Sequence, residues 1–444
     1  MPSRGANRPA AVATLLLALV GVPSTALSAD RFVSVQGSDT TNDCLTSSAP
    51  CRTVAHVMTQ AASGDTVKAS RGIFNEPLLV DSSTTLTLSG SWEFDFSSRD
   101  PVPPLTTIAG VDVLAGLGEV VDVTVDGFIV TLADGVAAIS TDDAMLTLRL
   151  ANCVVKNNLS GGGYADDMGG VSTRASGSST LNLEITNSVM SANRTFWGVS
   201  LLTADTSSGT LTMSDSIVKN TWQGGGHGVV LFANGMASLV AAMTRTRIER
   251  NQIGLLMSAD EFAGAAAIAT LTDVSVIRNR DMGISSGGTL SLSNSVVSRN
   301  RGGGMGAGGP TTIVNSTFTG NRTPCEDVAC SGGVTILTTV GSVITNTIVW
   351  GNRARGLAHD DLFSYDASLD IDHSDLGDAG GFYTDLGGNI SVDPLLRSRR
   401  DPHLSAGSPA IDTGTCSGAP ATDFEGDARP TGAGCDMGAD EFVP

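Results

Sequence analysis

A short segment ending in asparagine recurs along the chain and restricts the folds open to it more than any other feature. It reads Asn152-Cys-Val-Val-Lys-Asn-Asn158, Asn187-Ser-Val-Met-Ser-Ala-Asn193 and Ser214-Asp-Ser-Ile-Val-Lys-Asn220, and later copies end at Asn251, Asn279, Asn300, Asn321 and Asn352. The terminal asparagines are 21 residues apart twice and 27 to 35 apart elsewhere. Each copy follows a short alternating segment such as residues 146–150 or 290–293, and alternation with period two argues for strands. Glycine clusters at 161–163, 224–226, 287–288 and 302–304 punctuate the units as turns.

Coils of this kind, almost without helical patterning between residues 65 and 400, predict an all-β, right-handed parallel β-helix in which each coil stacks on the last. Stacked strands lie about 4.8 Å apart, so a side-chain amide in one coil reaches its copies above and below. Asn158, Asn193, Asn220, Asn251, Asn279, Asn300, Asn321 and Asn352 are therefore expected to form a structural ladder. Residues in excess of a minimal coil should bulge as loops, the largest between Gly161 and Gly177. Residues 52–62 carry apolar side chains at helical spacing and are expected to plug the open N-terminal end, with His56 in a packing role.

The first 29 residues do not belong to this pattern. Arg4 and Arg8 precede an apolar run from Ala10 to Val22 and a small-residue segment through Ala29, the order of a secretory signal peptide. The expected organisation is a leader over 1–29, the β-helix with its N-terminal cap over 30–342, and the last coils with a C-terminal module over 343–444. A secreted or peripherally held protein without membrane insertion follows, and nothing requires more than a monomer. The cysteines fit an oxidising address: Cys44 with Cys51, Cys325 with Cys330 and Cys416 with Cys435 are the simplest local pairs, leaving Cys153 as a buried thiol.

The net charge is −19, and loss of the leader's two arginines makes the chain more acidic still. Such a chain repels nucleic acid and anionic lipid. It also repels a polyanionic sugar unless metal ions or a local basic groove intervene.

Several residue groups offer chemistry. Phe196, Trp197 and Trp222 follow ladder asparagines in neighbouring coils and could form a sugar-stacking strip, with packing beneath the loop at Gly224 as the equal alternative. A polysaccharide lyase needs an Arg or Lys base with acids that bind calcium, and Asp142, Asp143 and Arg149, or Asp166, Asp167 and Arg174, supply those types. Asp412, Asp423, Asp427, Asp436, Asp440 and Glu441 could hold Ca²⁺, but their spacing matches no calcium loop. Turn-capping beside glycines, with Arg429 neutralising one or two of them, is the simpler reading. His359 and His373 with Asp360, Asp361, Asp370, Asp372 and Asp375 read as a solvated late loop.

The N-terminal entry Gly64-Asp-Thr-Val-Lys-Ala-Ser-Arg-Gly-Ile-Phe-Asn-Glu76 resembles that of the pectate-lyase-like β-helix superfamily. Residues 348–352, 389–395, 403–412, 423–430 and 436–442 in series resemble the choice-of-anchor Q domain of bacterial surface β-helix proteins. The second resemblance implies a surface or secreted role and no established reaction. Asp401-Pro402-His403 matches three letters of an alginate C5-epimerase motif without its surrounding sequence. The function expected is a glycan-binding or adhesin-like scaffold that recognises extracellular polysaccharide, with a polysaccharide lyase or glycoside hydrolase as the alternative.

Overall fold

In a computed structural model the chain is described over residues 28–131, 135–159, 169–221, 225–327, 330–337, 341–356, 359–365 and 368–444. It is a right-handed parallel β-helix. Three long parallel sheets, of 14, 12 and 12 strands, run along it. One coil illustrates the plan: Met145–Ala151 lies in the first sheet, Val154–Lys156 in the second and Gly169–Ala175 in the third. The chain then returns to the first sheet at Thr180–Thr186, one register above Met145–Ala151. Alternate residues of each strand point inward, so Leu146, Leu148 and Leu150 stack under Leu181, Leu183 and Ile185 with no solvent exposure above 1%.

Both corners flanking the second sheet are single left-handed residues. Before the short strand this position holds Asn152, Asn187, Asp215, Asp273, Asn294, Asn315 and Asn346, with φ between 42° and 56°. Asn and Asp tolerate that region best among residues with a Cβ, which accounts for most of these corners, while Arg245 and His373, both at φ 44°, take the same position in two other coils.

After the short strand, another left-handed residue turns the chain and the next side chain points inward as the ladder. The backbone N–H and Nδ2 of Asn279 both donate to Asn300 Oδ1 at 2.9 Å. Those of Asn300 donate to Asn321 Oδ1 at 3.0 Å, and those of Asn321 to Asn352 Oδ1 at 3.0 and 2.9 Å. Each Nδ2 also reaches a strand carbonyl, as Asn300 does to Val276 at 3.0 Å. The third-sheet glycines leave room for these amides: a Cβ on Gly283 would fall 2.6 Å from Asn300 Nδ2 and 2.5 Å from the Gly304 carbonyl.

Asn220 is not a rung. It occupies the left-handed corner itself, at φ 56°, and Thr221 takes the inward position, its N–H donating to Asn251 Oδ1 at 3.1 Å. The repeat is one asparagine short there: Lys156-Asn157-Asn158 supplies both corner and rung, whereas Lys219-Asn220-Thr221 supplies only the corner.

Helix Val54–Gln60, capped by the Thr53 hydroxyl, buries Val54 and Val57 against the N-terminal end of the core. Disulfide Cys44–Cys51 closes the preceding loop, Cys325–Cys330 closes a later one, and Cys416–Cys435 lies in the tail. His56 Nε2 lies 2.8 Å from the Asn42 carbonyl and serves packing. Cys153 is buried, and desolvation pushes its thiol up to about 12. No helix among the described residues is long and apolar enough to cross a membrane.

The C-terminal module leaves the last coil after Gly387 and folds back over the outer face of the second sheet. There it buries the outward-pointing Val296, Thr317 and Ile348 to 5% exposure or less. The corner asparagines of the late repeats dock it: Asn294 Nδ2 donates to the Thr422 carbonyl at 2.8 Å and Asn315 Nδ2 to that of Asp436 at 3.1 Å. Asn346 exchanges two bonds with the Thr415 backbone, at 2.6 and 2.8 Å.

Replacing Asn300 by Ala strands the buried N–H and Nδ2 of Asn279, at a cost of about 2–4 kcal/mol. Chemical denaturation should register that loss, while Asn220→Gly, at a left-handed corner, should leave the midpoint nearly unchanged.

Candidate functional site

The ladder governs what stands outside it. Because the rung points inward, the residues on either side of it point outward and stack from coil to coil. Over four consecutive late coils each flank carries three arginines, and in two of the coils both flanks do. Arg250, Arg278 and Arg299 precede the rungs Asn251, Asn279 and Asn300; Arg280, Arg301 and Arg322 follow Asn279, Asn300 and Asn321. The second column is held in register by backbone bonds, Arg280 N–H to the Asn251 carbonyl at 2.8 Å and Arg322 N–H to that of Asn300 at 2.8 Å.

The two columns form one wall of a groove of about 920 Å³. Its other wall comes from the C-terminal module. Hairpin Leu396–Ser398 and Asp401–Leu404 carries Arg399 and Arg400 at its turn, and the Arg399 carbonyl comes within 3.5 Å of where a Cβ on Gly320 would stand. Among the described residues, eight arginines, Asn300 and Gly320 line the groove, and no carboxylate does. This is eight of the chain's 26 cationic side chains, gathered at one place on a molecule of net charge −19.

Arg299 sits deepest. Burial, then the neighbouring Arg278, Arg400 and Arg247, hold its pKa below the usual arginine range, and its Nε has no hydrogen-bond partner. Adjacent Glu249 bonds Arg247 at 2.9 Å and does not line the groove. Cations stacked at strand spacing repel one another, and an anion placed between them would relieve that repulsion.

The catalytic candidates from the sequence do not converge. Asp142 and Asp143 form the turn before Met145–Ala151, where Asp143 bonds Ser178, and Arg149 lies near the far end of that strand, about 20 Å of extended chain away. Arg149 is held on the sheet face between Asp122 and Glu184 of the flanking coils. Asp166 and Asp167 lie outside the described residues, and Arg174 stands outward on Gly169–Ala175. Phe196 is exposed and Trp197 begins strand Trp197–Thr203 beside His227, whereas Trp222 lies outside the described residues.

The tail acids cap turns. Asp423 Oδ1 accepts the backbone N–H of Glu425, Gly426 and Asp427, each at 2.9 Å. Asp436 accepts from Asp412 and Phe442, both at 2.7 Å, and Asp440 from Leu404 at 2.7 Å. Asp412 accepts from Gly434 at 2.8 Å, while the Asp427 side chain is exposed and contributes its carbonyl to Asp423 N–H. Arg429, fully buried, bonds Glu441 and the Asp436 carbonyl. Most of these oxygens are thus directed at backbone amides, and Asp440 also faces His403.

His403 has a carboxylate at each ring nitrogen, Asp401 at Nδ1 and Glu425 at Nε2, with Asp440 3.9 Å away. Burial disfavours its charge, but the bonds to Asp401 and Glu425 outweigh that and raise its pKa. These contacts tie the hairpin to the tail through His403 and give Asp401-Pro402-His403 a structural role.

The late acids are not a solvated loop. Asp361 is 5% exposed and ends the ladder, its Oδ1 accepting Asn352 N–H and Nδ2 at 2.9 Å. Asp375 is fully buried with one oxygen unpartnered.

No family model matches the chain, and neither does any curated protein. Among solved structures it is similar to the crystal structure of pectate lyase Pel9A, at 13% identity and a TM-score of 0.47, over 94% of this chain and 97% of that one. The fold assignment rests on the three sheets themselves.

The groove arginines are candidate site residues that the sequence analysis above does not single out. Their signal was present in Arg278-Asn279-Arg280 and Arg299-Asn300-Arg301, where a rung flanked by two cations recurs one coil later.

Desolvation pushes Asp361 up to about 6 and Asp375 up to about 7, from an ordinary 3.8. Both bind protons more tightly folded than unfolded, so they subtract stability as pH rises through those folded values. The melting temperature should be higher near about pH 5 than near about pH 8, and Asp375→Asn should raise it at the higher pH and flatten the dependence.

Proposed function

We propose that this chain is an extracellular, surface-associated β-helix that binds an anionic polysaccharide along its arginine groove. The observation that carries the reading is the groove itself: stacked guanidinium columns without a carboxylate among the lining residues. Guanidinium forks suit carboxylate, sulfate and phosphate groups because they donate two parallel hydrogen bonds. A repeating array of them suits a polymer whose charges also repeat. A glycan is favoured over nucleic acid because no aromatic ring stands among the described residues that line the groove to stack a base. The three disulfides support an oxidising address.

The chain's own role in retention fits the same picture. The C-terminal module, which resembles choice-of-anchor Q domains, covers the second sheet and supplies Arg399 and Arg400 to the groove. We take the leader over residues 1–29 as the export signal. The binding reading stands ahead of a lyase because Asp142 and Asp143 do not meet Arg149.

Calorimetric titration with polygalacturonate and with heparin, against neutral dextran, tests this. Both polyanions should bind, with affinity falling steeply as salt rises. The double substitution Arg301→Ala, Arg322→Ala should weaken binding about tenfold or more, since each charge-assisted bond contributes about 1.5–3 kcal/mol. Unchanged affinity in that variant would sink the groove as the site. Equal affinity for a single-stranded oligonucleotide would overturn the choice of a glycan, and unsaturated products absorbing in the ultraviolet would overturn the choice of binding over catalysis.

A further inference from the structure

On the side of the coil formed by the first sheet, six consecutive strands contain no charged residue: Ser208–Ser214, Ser238–Thr244, Ala266–Thr272, Thr289–Ser293, Thr311–Val314 and Ser342–Thr345. Their outward positions are Thr, Ser, Val, Ile and Ala. The central column runs Thr212, Ala242, Thr270, Ser291, Thr312, Val343 in unbroken parallel register. Earlier and later coils of the same column carry Arg149 and Glu184 at one end and Asp370 at the other. Charge is therefore excluded from the middle of the sheet and not from the sheet as a whole.

The face is open. Val240, Ile268 and Val343 are 48%, 43% and 37% exposed although each is apolar and lies in regular structure. Charged residues border it, with the Asp215–Arg245 ion pair on one side and Asp260 and Glu261 in the turn on the other. An uncharged centre with a charged rim is the composition of a protein interface.

We propose that this face pairs with the same face of a second copy, giving a two-fold dimer in which the two arginine grooves remain open. Charge selects this occupant. Two molecules of net charge −19 repel wherever their acids meet, and these strands are where close approach brings no charge against its own kind. An isologous contact needs a self-complementary patch, and a flat field of short β-branched side chains is complementary to itself without specific pairing. Six strands at about 4.8 Å and two to four outward positions per strand cover about 600 Å² per copy. The pair then buries about 1,200 Å², at the low end for a specific interface. A neutral sugar surface is the lesser candidate, since no aromatic ring stands on these strands to cover a pyranose.

Salt separates this association from glycan binding. Screening relieves the repulsion between two acidic bodies, so dimerisation strengthens with ionic strength, whereas polyanion binding in the groove weakens. Analytical ultracentrifugation of the purified protein across on the order of 1–200 µM, at low and high salt, provides the test. The result expected is a reversible dimer that tightens with salt. Thr270→Glu, exposed at the centre of the face, should weaken it at least tenfold with an unchanged circular dichroism spectrum. Thr124→Glu on the same sheet outside the face, and Arg322→Ala in the groove, should leave it as it is. A monomer at every concentration and salt, or a dimer indifferent to Thr270→Glu, would overturn the proposal, as would retention on a neutral insoluble glycan in place of self-association.

Discussion

Every late coil of this solenoid is tied to the next by a buried side-chain amide that accepts two hydrogen bonds from the coil before it and donates to a strand carbonyl. Much else in the molecule depends on that bond. An amide has both donor and acceptor on one planar group, so a stack of them can propagate without leaving either end unmet. The direction of propagation has a consequence at the C-terminal end. The last rung, Asn352, still needs an acceptor for two N–H groups, and Asp361 supplies a carboxylate that only accepts. The ladder is thus closed at this end by a group whose burial makes it reluctant to ionise.

Fixing the rung inward fixes its neighbours outward, and a solenoid then multiplies whatever stands beside the rung. On the first sheet the multiplication mostly balances charge: Arg149 lies between Asp122 and Glu184, and Lys68 meets Asp30 at 2.5 Å. Beside the ladder it does the opposite and piles guanidinium on guanidinium. Surface ion pairs contribute little to stability, but unbalanced cations in adjacent coils are a cost that folding alone does not require.

The C-terminal module links the two columns that border the second sheet. It is anchored on the corner asparagines Asn294, Asn315 and Asn346, and it presents Arg399 and Arg400 across from the arginines beside the rungs. His403 joins the hairpin to the tail through Asp401 and Glu425. Most acids of this module are directed at backbone amides and hold it together, and Glu425 and Asp440 meet around His403.

The sequence by itself determined the coil: the recurring asparagine, the alternation of apolar side chains and the scarcity of helical patterning admit one architecture, because each is a local demand of backbone geometry. It also made the arginines beside the rungs legible in principle, since a residue next to an inward rung must face out. What only the tertiary structure decided is everything that depends on coils of unequal length being brought into register. Whether Asn220 or Thr221 is the rung turns on which residue takes the left-handed corner, and both choices are consistent with the letters. Asp143 and Arg149 are near in sequence yet at opposite ends of one strand. Arg399 and Arg322 are far apart in sequence yet share a groove, because the tail folds back along the solenoid and lays its hairpin against a wall that was already charged.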